Sequence, residues 1–256
     1  MEIVWFYTHK RKNIGGFMVF SEKFYVGYSD INKNHGLSNV SILKIFQDIA
    51  CMHSSEVKDG MKDTKDRWFL TGYHIKVCKR PKYEERLTVV TWNREMKSGI
   101  ASREVEFYDE SGELAIIGIS NWVRINGETL RPTRLSKEIA DLYQSEPTRN
   151  NFESAWVPKL KECDNYLEKK EYFIDRNWID SNDHMNNVYY IELATLALPE
   201  EVYEQGECND FAITYRKAIA YGETVCCYYG QDEQEHTICI KSKENDEVHA
   251  VVKMYN

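Results

Sequence analysis

Two stretches of this chain lie over one another without a gap. KFYVGYSDINKNHGLSNV, residues 23–40, matches EYFIDRNWIDSNDHMNNV, residues 171–188, at an offset of 148 (171 − 23). Phe24 falls on Tyr172, Tyr25 on Phe173, Val26 on Ile174, Asn34 on Asn182, and Asn39-Val40 on Asn187-Val188. A second pair follows in the same order: IKVCKRPKYEERL, residues 75–87, lies over ITYRKAIAYGETV, residues 213–225, at an offset of 138 (213 − 75). The fall in offset (148 − 138 = 10) leaves the second copy ten residues shorter between its first strand and its second. One short match means little, but two in the same order mean a duplicated module.

Each copy reads the same way. A strand (23–28; 171–177) leads through an Asn-rich loop into a helix. In the first copy Ile42, Ile45, Phe46, Ile49 and His53 recur at helical spacing; in the second Val188, Ile191, Thr195 and Leu198 do so before Pro199 stops the helix. Alternating strands follow: YHIKVCK, RLTVVTW, ASREVEFYD and ELAIIGISNWVRI in copy one, FAITYRK, TVCCYYG, HTICIKS and VHAVVKMY in copy two. DESG and Asn126-Gly127 mark turns. A strand, one long helix and then antiparallel strands predict an α+β unit whose sheet wraps a central helix. The expected organisation is an N-terminal module over 18–137, a linker across the back of the joined sheets over 138–169, and a C-terminal module over 170–256. Residues 1–17 read as an N-terminal extension detached from the repeat, with Met18 as the expected initiator.

Composition narrows the function classes. With 33 basic against 41 acidic residues the net charge is −8, which disfavours general nucleic-acid binding. Local basic clusters remain as candidate partner contacts: KRK at 10–12, KRPK at 79–82, Arg131 with Arg134, and Arg216 with Lys217. No apolar run approaches the roughly 18 residues of a membrane span. Seven Cys without a C-x-x-C pair predict free thiols and a reducing cytoplasm.

The loop WIDSNDHMNN, residues 178–187, carries most of the chemistry. Asn and Asp are ordinary turn formers and N-caps, so Asn186 or Asn187 is expected to cap the following helix. The pattern D-x-N-x-H-x-N-N also resembles the acyl-acyl carrier protein thioesterases of plants and bacteria. YSDINKNHGLSNVSILKIFQDIA, WFLTGYHIKVCKRPKYEERLTVVTW and SNWVRINGETLRPTRL extend the resemblance from about residue 20 to the C-terminus. It implies a double hotdog fold, with the catalytic Asp, Asn and His on Asp180, Asn182 and His184. It also implies an acyl chain presented on the 4′-phosphopantetheine of acyl carrier protein, and no cofactor is expected. His184 with Asp180 and Asp183 offers metal-ligand types but has no second His nearby in sequence, so no catalytic metal is expected. One departure stands out: the family carries Glu, followed by Cys in many plant members, after Y-[RK]-[RK], where this chain has Ala218 and Ile219. A Cys nucleophile there is excluded, and a mechanism that needs that Glu is put in question.

The residues suit thioester hydrolysis, since a thiolate leaves readily. Asp180 is the expected general base or nucleophile. The unpaired N–H groups at the helix start, near Asn187 and Val188, are expected to hold the oxyanion. Asn182 orients water or substrate, and His184 positions Asp180 or shares its proton. The first copy has Asn32 where the second has Asp180 and Gly36 where it has His184, so one active site is expected. The first module then supplies an apolar wall for the acyl chain, with Phe46 and Met52 as its expected lining. Glu192 and Glu223 are candidate substitutes for the absent Glu. The same fold also accommodates a coenzyme A thioesterase or a non-hydrolytic acyl-binding protein, as a monomer or a homodimer.

Overall fold

The computed structural model describes residues 10–14, 17–59, 65–129 and 131–255. Copy one contributes β2 (Phe17–Tyr25), α1 (Asn39–Val57), β3 (Asp66–Val77), β4 (Arg86–Lys97), β5 (Ile100–Tyr108) and β6 (Leu114–Asn126). Copy two contributes β7 (Glu168–Phe173), α3 (Tyr189–Ala197), α4 (Glu200–Tyr203), β8 (Asp210–Tyr215), β9 (Thr224–Asp232), β10 (Glu235–Ser242) and β11 (Val248–Tyr255). The short α2 (Lys137–Tyr143) lies between them, and β1 (Lys10–Ile14) precedes them.

Neighbouring strands pair antiparallel throughout, in the order β1-β2-β4-β5-β6-β3-β8-β11-β10-β9-β7. The strand order of one copy repeats in the other, reversed about a seam where β3 pairs with β8 from Gly72↔Thr214 to Lys76↔Asp210. The seam needs a glycine: a Cβ on Gly72 would stand 2.8 Å from the Ile213 carbonyl oxygen. This is the duplicated α+β arrangement expected from the repeat and the double hotdog that the resemblance implies.

Both helices pack on one face of the sheet in a single continuous core. Ser38 caps α1, its hydroxyl accepting from the Ser41 N–H at 3.1 Å, and Lys58 ends it in the left-handed region (φ 54). The predicted stripe Ile42, Ile45, Phe46, Ile49 and His53 is the buried one. Phe46 lies under Gly118, where an added Cβ would meet its ring at 2.4 Å. In the second copy α3 ends at Ala197, with Leu198 as its C-cap just before Pro199.

Both leading strands stop short of the expected boundaries. The chain leaves the sheet at Tyr25 and at Phe173, then makes 3-10 turns at Tyr28–Asp30 and Arg176–Trp178. Carboxylates cause the bend: Asp30 accepts from the Gly27 N–H at 2.9 Å, and Asp175 from the Arg176 N–H at 2.6 Å. Of the expected extension, residues 1–9 and 15–16 lie outside the described residues, while β1 pairs with β2 from Lys10↔Ser21 to Ile14↔Phe17.

Segment 144–161 crosses the opposite face of the sheet. The Asn93 amide donates to Ser145 Oγ, Trp92 Nε1 donates to the Arg149 carbonyl at 3.0 Å, and the Leu160 N–H donates to Thr214 Oγ1 at 3.0 Å. Beneath it is a buried ion pair, Arg94 to Glu104 at 2.7 Å, whose arginine also donates to the carbonyls of Phe152, Glu153 and Ser154.

Candidate active site

The loop at the head of each helix has the same backbone. In the second copy the Asp180 N–H donates to the His184 carbonyl at 2.8 Å, the Asp183 N–H donates to the Asp180 carbonyl at 3.1 Å, and Asp183 is left-handed (φ 61). In the first, the Asn32 N–H donates to the Gly36 carbonyl at 2.8 Å, the His35 N–H to the Asn32 carbonyl at 3.0 Å, and His35 is left-handed (φ 59). The side chain at the head closes each turn: Asp180 Oδ1 accepts from the Asn182 N–H at 2.8 Å, and Asn32 Oδ1 from the Asn34 N–H at 2.9 Å. Each turn is also pinned to the segment after the next strand, Met185 N–H to the Ile219 carbonyl and Leu37 N–H to the Pro81 carbonyl, both at 2.8 Å.

On this frame the structure brings the Asp180 and Asn182 side chains together, with Asn182 Nδ2 at 3.4 Å from Asp180 Oδ2. His184 joins Asp180 through backbone only. Its ring is half-buried and hydrogen-bonds to no described residue. Trp178 stacks on Tyr189 with ring centroids 5.9 Å apart, a packing contact.

The head of α3 differs from expectation in one respect. Asn186 Oδ1 accepts from the Val188 N–H at 3.2 Å, so that donor is already used and Asn186 provides the cap-like contact. The Asn187 N–H makes no hydrogen bond among the described residues, while the Asn187 carbonyl accepts from the Tyr215 hydroxyl at 2.9 Å. In the first copy the matching N–H, that of Asn39, donates to Glu207 Oε1 at 3.1 Å, and the matching side chain, Asn32, donates through Nδ2 to Glu207 Oε2 at 2.6 Å. One carboxylate therefore spans the turn side chain and the helix-head N–H. By the repeat, the Asp180 carboxylate and the Asn187 N–H are the counterparts of these two groups. Behind it Tyr190 is buried edge-on to Tyr215, and burial raises its phenol well above the ordinary range, with the charges of Glu223 and Asp180 adding to this.

A cavity of about 530 Å³ has Ser181, the residue after Asp180, in its wall. Ala50, Cys51 and Ser54 of α1 face it from one side, Trp68 and Trp122 of the sheet from another. Phe46 and Met52, the expected lining, are not among the residues around it. Phe46 is buried against Tyr73 and Phe107, and Met52 packs half-buried on the core. At the polar side of the cavity stands Arg103, donating to His53 Nδ1 at 2.8 Å and Thr91 Oγ1 at 3.1 Å, with burial lowering its pKa.

Ala218 is exposed and brings no polar group to the loop. Of the two candidate substitutes, Glu223 is engaged elsewhere. Its Oε1 accepts from the Ala220 N–H at 2.6 Å, and its Oε2 lies 3.6 Å from Nε2 of the buried His249. Glu192 stands half-buried on α3. The basic clusters are largely paired as well, Lys79 with Asp109 and Glu113, Arg216 with Glu162, and Lys217 with Glu247.

Sequence reasoning missed Glu207, and it had Arg80 only as part of the basic cluster KRPK at 79–82. Arg80 stands where copy two has Ala218, and its guanidinium donates to the Leu37 and Cys208 carbonyls and reaches Glu207 at 3.3 Å. The change from Asp180 to Asn32 keeps one acceptor for the turn and puts a donor in place of the second carboxylate oxygen, but it does not say which residue meets that donor.

Comparison with known proteins places this geometry. The family model for the acyl-ACP thioesterase N-terminal domain matches residues 18–143, and that for the C-terminal domain matches residues 161–254. Oleoyl-acyl carrier protein thioesterase 2, chloroplastic, of Arabidopsis thaliana is 26% identical over 228 residues, 80% of this chain and 61% of that protein. The oleoyl-acyl carrier protein thioesterase of Coriandrum sativum is 23% identical over 242 residues, 87% of this chain and 65% of that protein. The chain thus spans about three fifths of the length of these curated relatives. Among solved structures, an acyl-ACP thioesterase from Bacteroides thetaiotaomicron superposes with a TM-score of 0.82 at 20% identity, covering 93% of this chain and 97% of that one. The 12:0-ACP thioesterase from Umbellularia californica gives 0.81 at 16% identity, covering 93% and 96%, so the fold is the same. With both halves matched in order across the repeat, the chain belongs to the acyl-ACP thioesterase family.

Proposed function

We propose that this chain hydrolyses the thioester of acyl-acyl carrier protein, releasing a free fatty acid and so ending chain growth. The observation that carries this reading is the Asn187 N–H, which makes no hydrogen bond among the described residues and is the counterpart of the Asn39 N–H that a carboxylate occupies in the first half. The N–H lies at the positive end of α3 and is directed at the thioester carbonyl oxygen. A water beside Asp180 attacks the carbonyl carbon and gives its proton to the carboxylate. The carbonyl π electrons pass to oxygen, and the Asn187 N–H stabilises the oxyanion. Collapse breaks the C–S bond, and the departing sulfur takes the proton back from Asp180. Asn182 orients the carboxylate and water, and the unengaged His184 ring supports the same proton transfer. With Ala218 bringing no carboxylate, Asp180 carries the proton without a second acid. In this reading residues 18–137 provide the cavity wall and residues 170–256 the reacting groups.

The carrier is assigned from the family, whose relatives named above act on acyl carrier protein by name. The seven free cysteines fit a reducing compartment, which we take to be the cytoplasm, and no helix among the described residues is long and apolar enough to cross a membrane. Ala218 favours one second reading, an acyl-binding protein with little turnover. A hydrolysis screen over acyl carrier protein substrates of graded chain length, with acyl-coenzyme A alongside and Asp180→Asn as control, separates these. Comparable turnover of acyl-coenzyme A overturns the carrier assignment. Bound acyl groups without hydrolysis overturn the enzyme.

A further inference from the structure

The head of α1 is more than a lost copy of the active site. Three donors converge there: Asn32 Nδ2 and Arg80 Nη1, at 2.6 and 3.3 Å from Glu207 Oε2, and the Asn39 N–H at 3.1 Å from Oε1. Arg80 is held in place by the Leu37 carbonyl (2.6 Å) and Asn39 Oδ1 (3.0 Å) on one nitrogen, and by the Cys208 carbonyl and Asn209 Oδ1 (both 2.9 Å) on the other. Its side chain is only 14% exposed, yet a guanidinium stays charged under burial, so the place holds a fixed positive charge. The second copy has neither Arg80 nor a donor at Asp180. The first copy has therefore exchanged a reacting carboxylate for a carboxylate-binding set.

Beside Asn32, Asn39 and Glu207 lies a cavity of about 160 Å³, whose wall holds Leu198, Val202 and Met254 together with the polar Thr195 and His236. Donors that hold a carboxylate at one side, with Leu198, Val202 and Met254 within the adjoining recess, have the chemistry of a site for a short aliphatic carboxylate. Glu207 reaches it from the connection between α4 and β8, on the far half of the molecule.

We propose that the first half holds a binding site for an aliphatic monocarboxylate, built from Asn32, the Asn39 N–H and Arg80, and that the chain fills it with its own Glu207. Because Glu207 is tethered, it occupies the site at a high effective concentration and a free carboxylate competes poorly. Removing the Glu207 side chain opens the site. This inference is independent of the reaction proposed above, since it uses no residue of the Asp180 loop.

The test is Glu207→Ala in the full chain, titrated with sodium butyrate against sodium chloride at equal ionic strength. Butyrate should raise the melting temperature of Glu207→Ala in a saturable way. In the wild-type protein, which reports butyrate bound anywhere else, the rise should be absent or smaller. Adding Asn32→Ala removes one charge-assisted hydrogen bond and should weaken the response by about tenfold or more. If Glu207→Ala folds poorly, its refolding yield is read against butyrate and chloride instead, with butyrate restoring it. Equal melting or equal yield in the two salts, or the same butyrate response in wild type and variant, overturns the proposal.

Discussion

Gly36 and Arg80 share one space: a Cβ on Gly36 would stand 2.7 Å from Cδ of the Arg80 side chain. In the other half the same two positions hold His184 and Ala218, a large residue on the loop and a small one on the facing segment. The repeat has exchanged which partner carries the bulk. Gly36→Ala should therefore displace Arg80 and destabilise the protein by about 1–3 kcal/mol, the usual cost of overpacking. Chemical denaturation checks this, and an unchanged midpoint would show that Arg80 moves aside freely.

Asp180→Asn should separate chemistry from structure cleanly. Asn32 closes the first turn with the same side-chain acceptor that Asp180 uses in the second. The variant should melt within a degree or two of wild type while thioester turnover falls by about 10²–10⁴, the range for loss of a general base. Turnover at the wild-type rate would remove the Asp180 carboxylate from the mechanism.

The seam gives the fold an acid limit. Asp210 on β8 accepts from His74 Nε2 at 2.8 Å and lies 3.3 Å from Lys76, both on β3. Burial pushes the Asp210 carboxyl up, but the His74 hydrogen bond and the nearby positive charges more than offset it, leaving its pKa below the ordinary 3.8. A depressed carboxylate pKa contributes stability that is present above the unfolded value and lost as pH falls through the folded one. Melting temperature should drop below about pH 4. Asp210→Asn should flatten that drop, and an equally steep acid limb in the variant would assign it to other carboxylates.

Ala50 is buried on α1 and faces the cavity. Ala50→Phe should shorten the longest acyl chain hydrolysed and leave short chains nearly unaffected. The chain-length profile of released acids measures this directly, and a uniform loss over all lengths would place Ala50 outside the acyl path.

Local pattern made much of this readable. Ile42, Ile45, Phe46 and Ile49 mark a helix face whether or not its surroundings are known, and the repeat dictated the mirrored sheet. The same stripe misdirected the cavity lining. Helical spacing identifies the face that meets the sheet, which holds Phe46 under Gly118. The cavity looks onto the adjoining face, where Ala50 and Ser54 sit one turn apart. The contacts of Glu207 and Arg80 were illegible for another reason. Glu207 meets Asn32 across 175 residues of chain and Arg80 across 127, and such contacts leave no periodic trace.

The five residue pairs of the β3–β8 seam join two halves that belong to one chain. In an assembly of two identical chains, any substitution at one helix head appears at the other as well. Asn32 could not differ from Asp180, nor Gly36 from His184, and a glutamate that filled one head would fill both. Covalent union removes that coupling. It lets one half keep a carboxylate at its helix head while the other carries an amide there and receives its neighbour's glutamate.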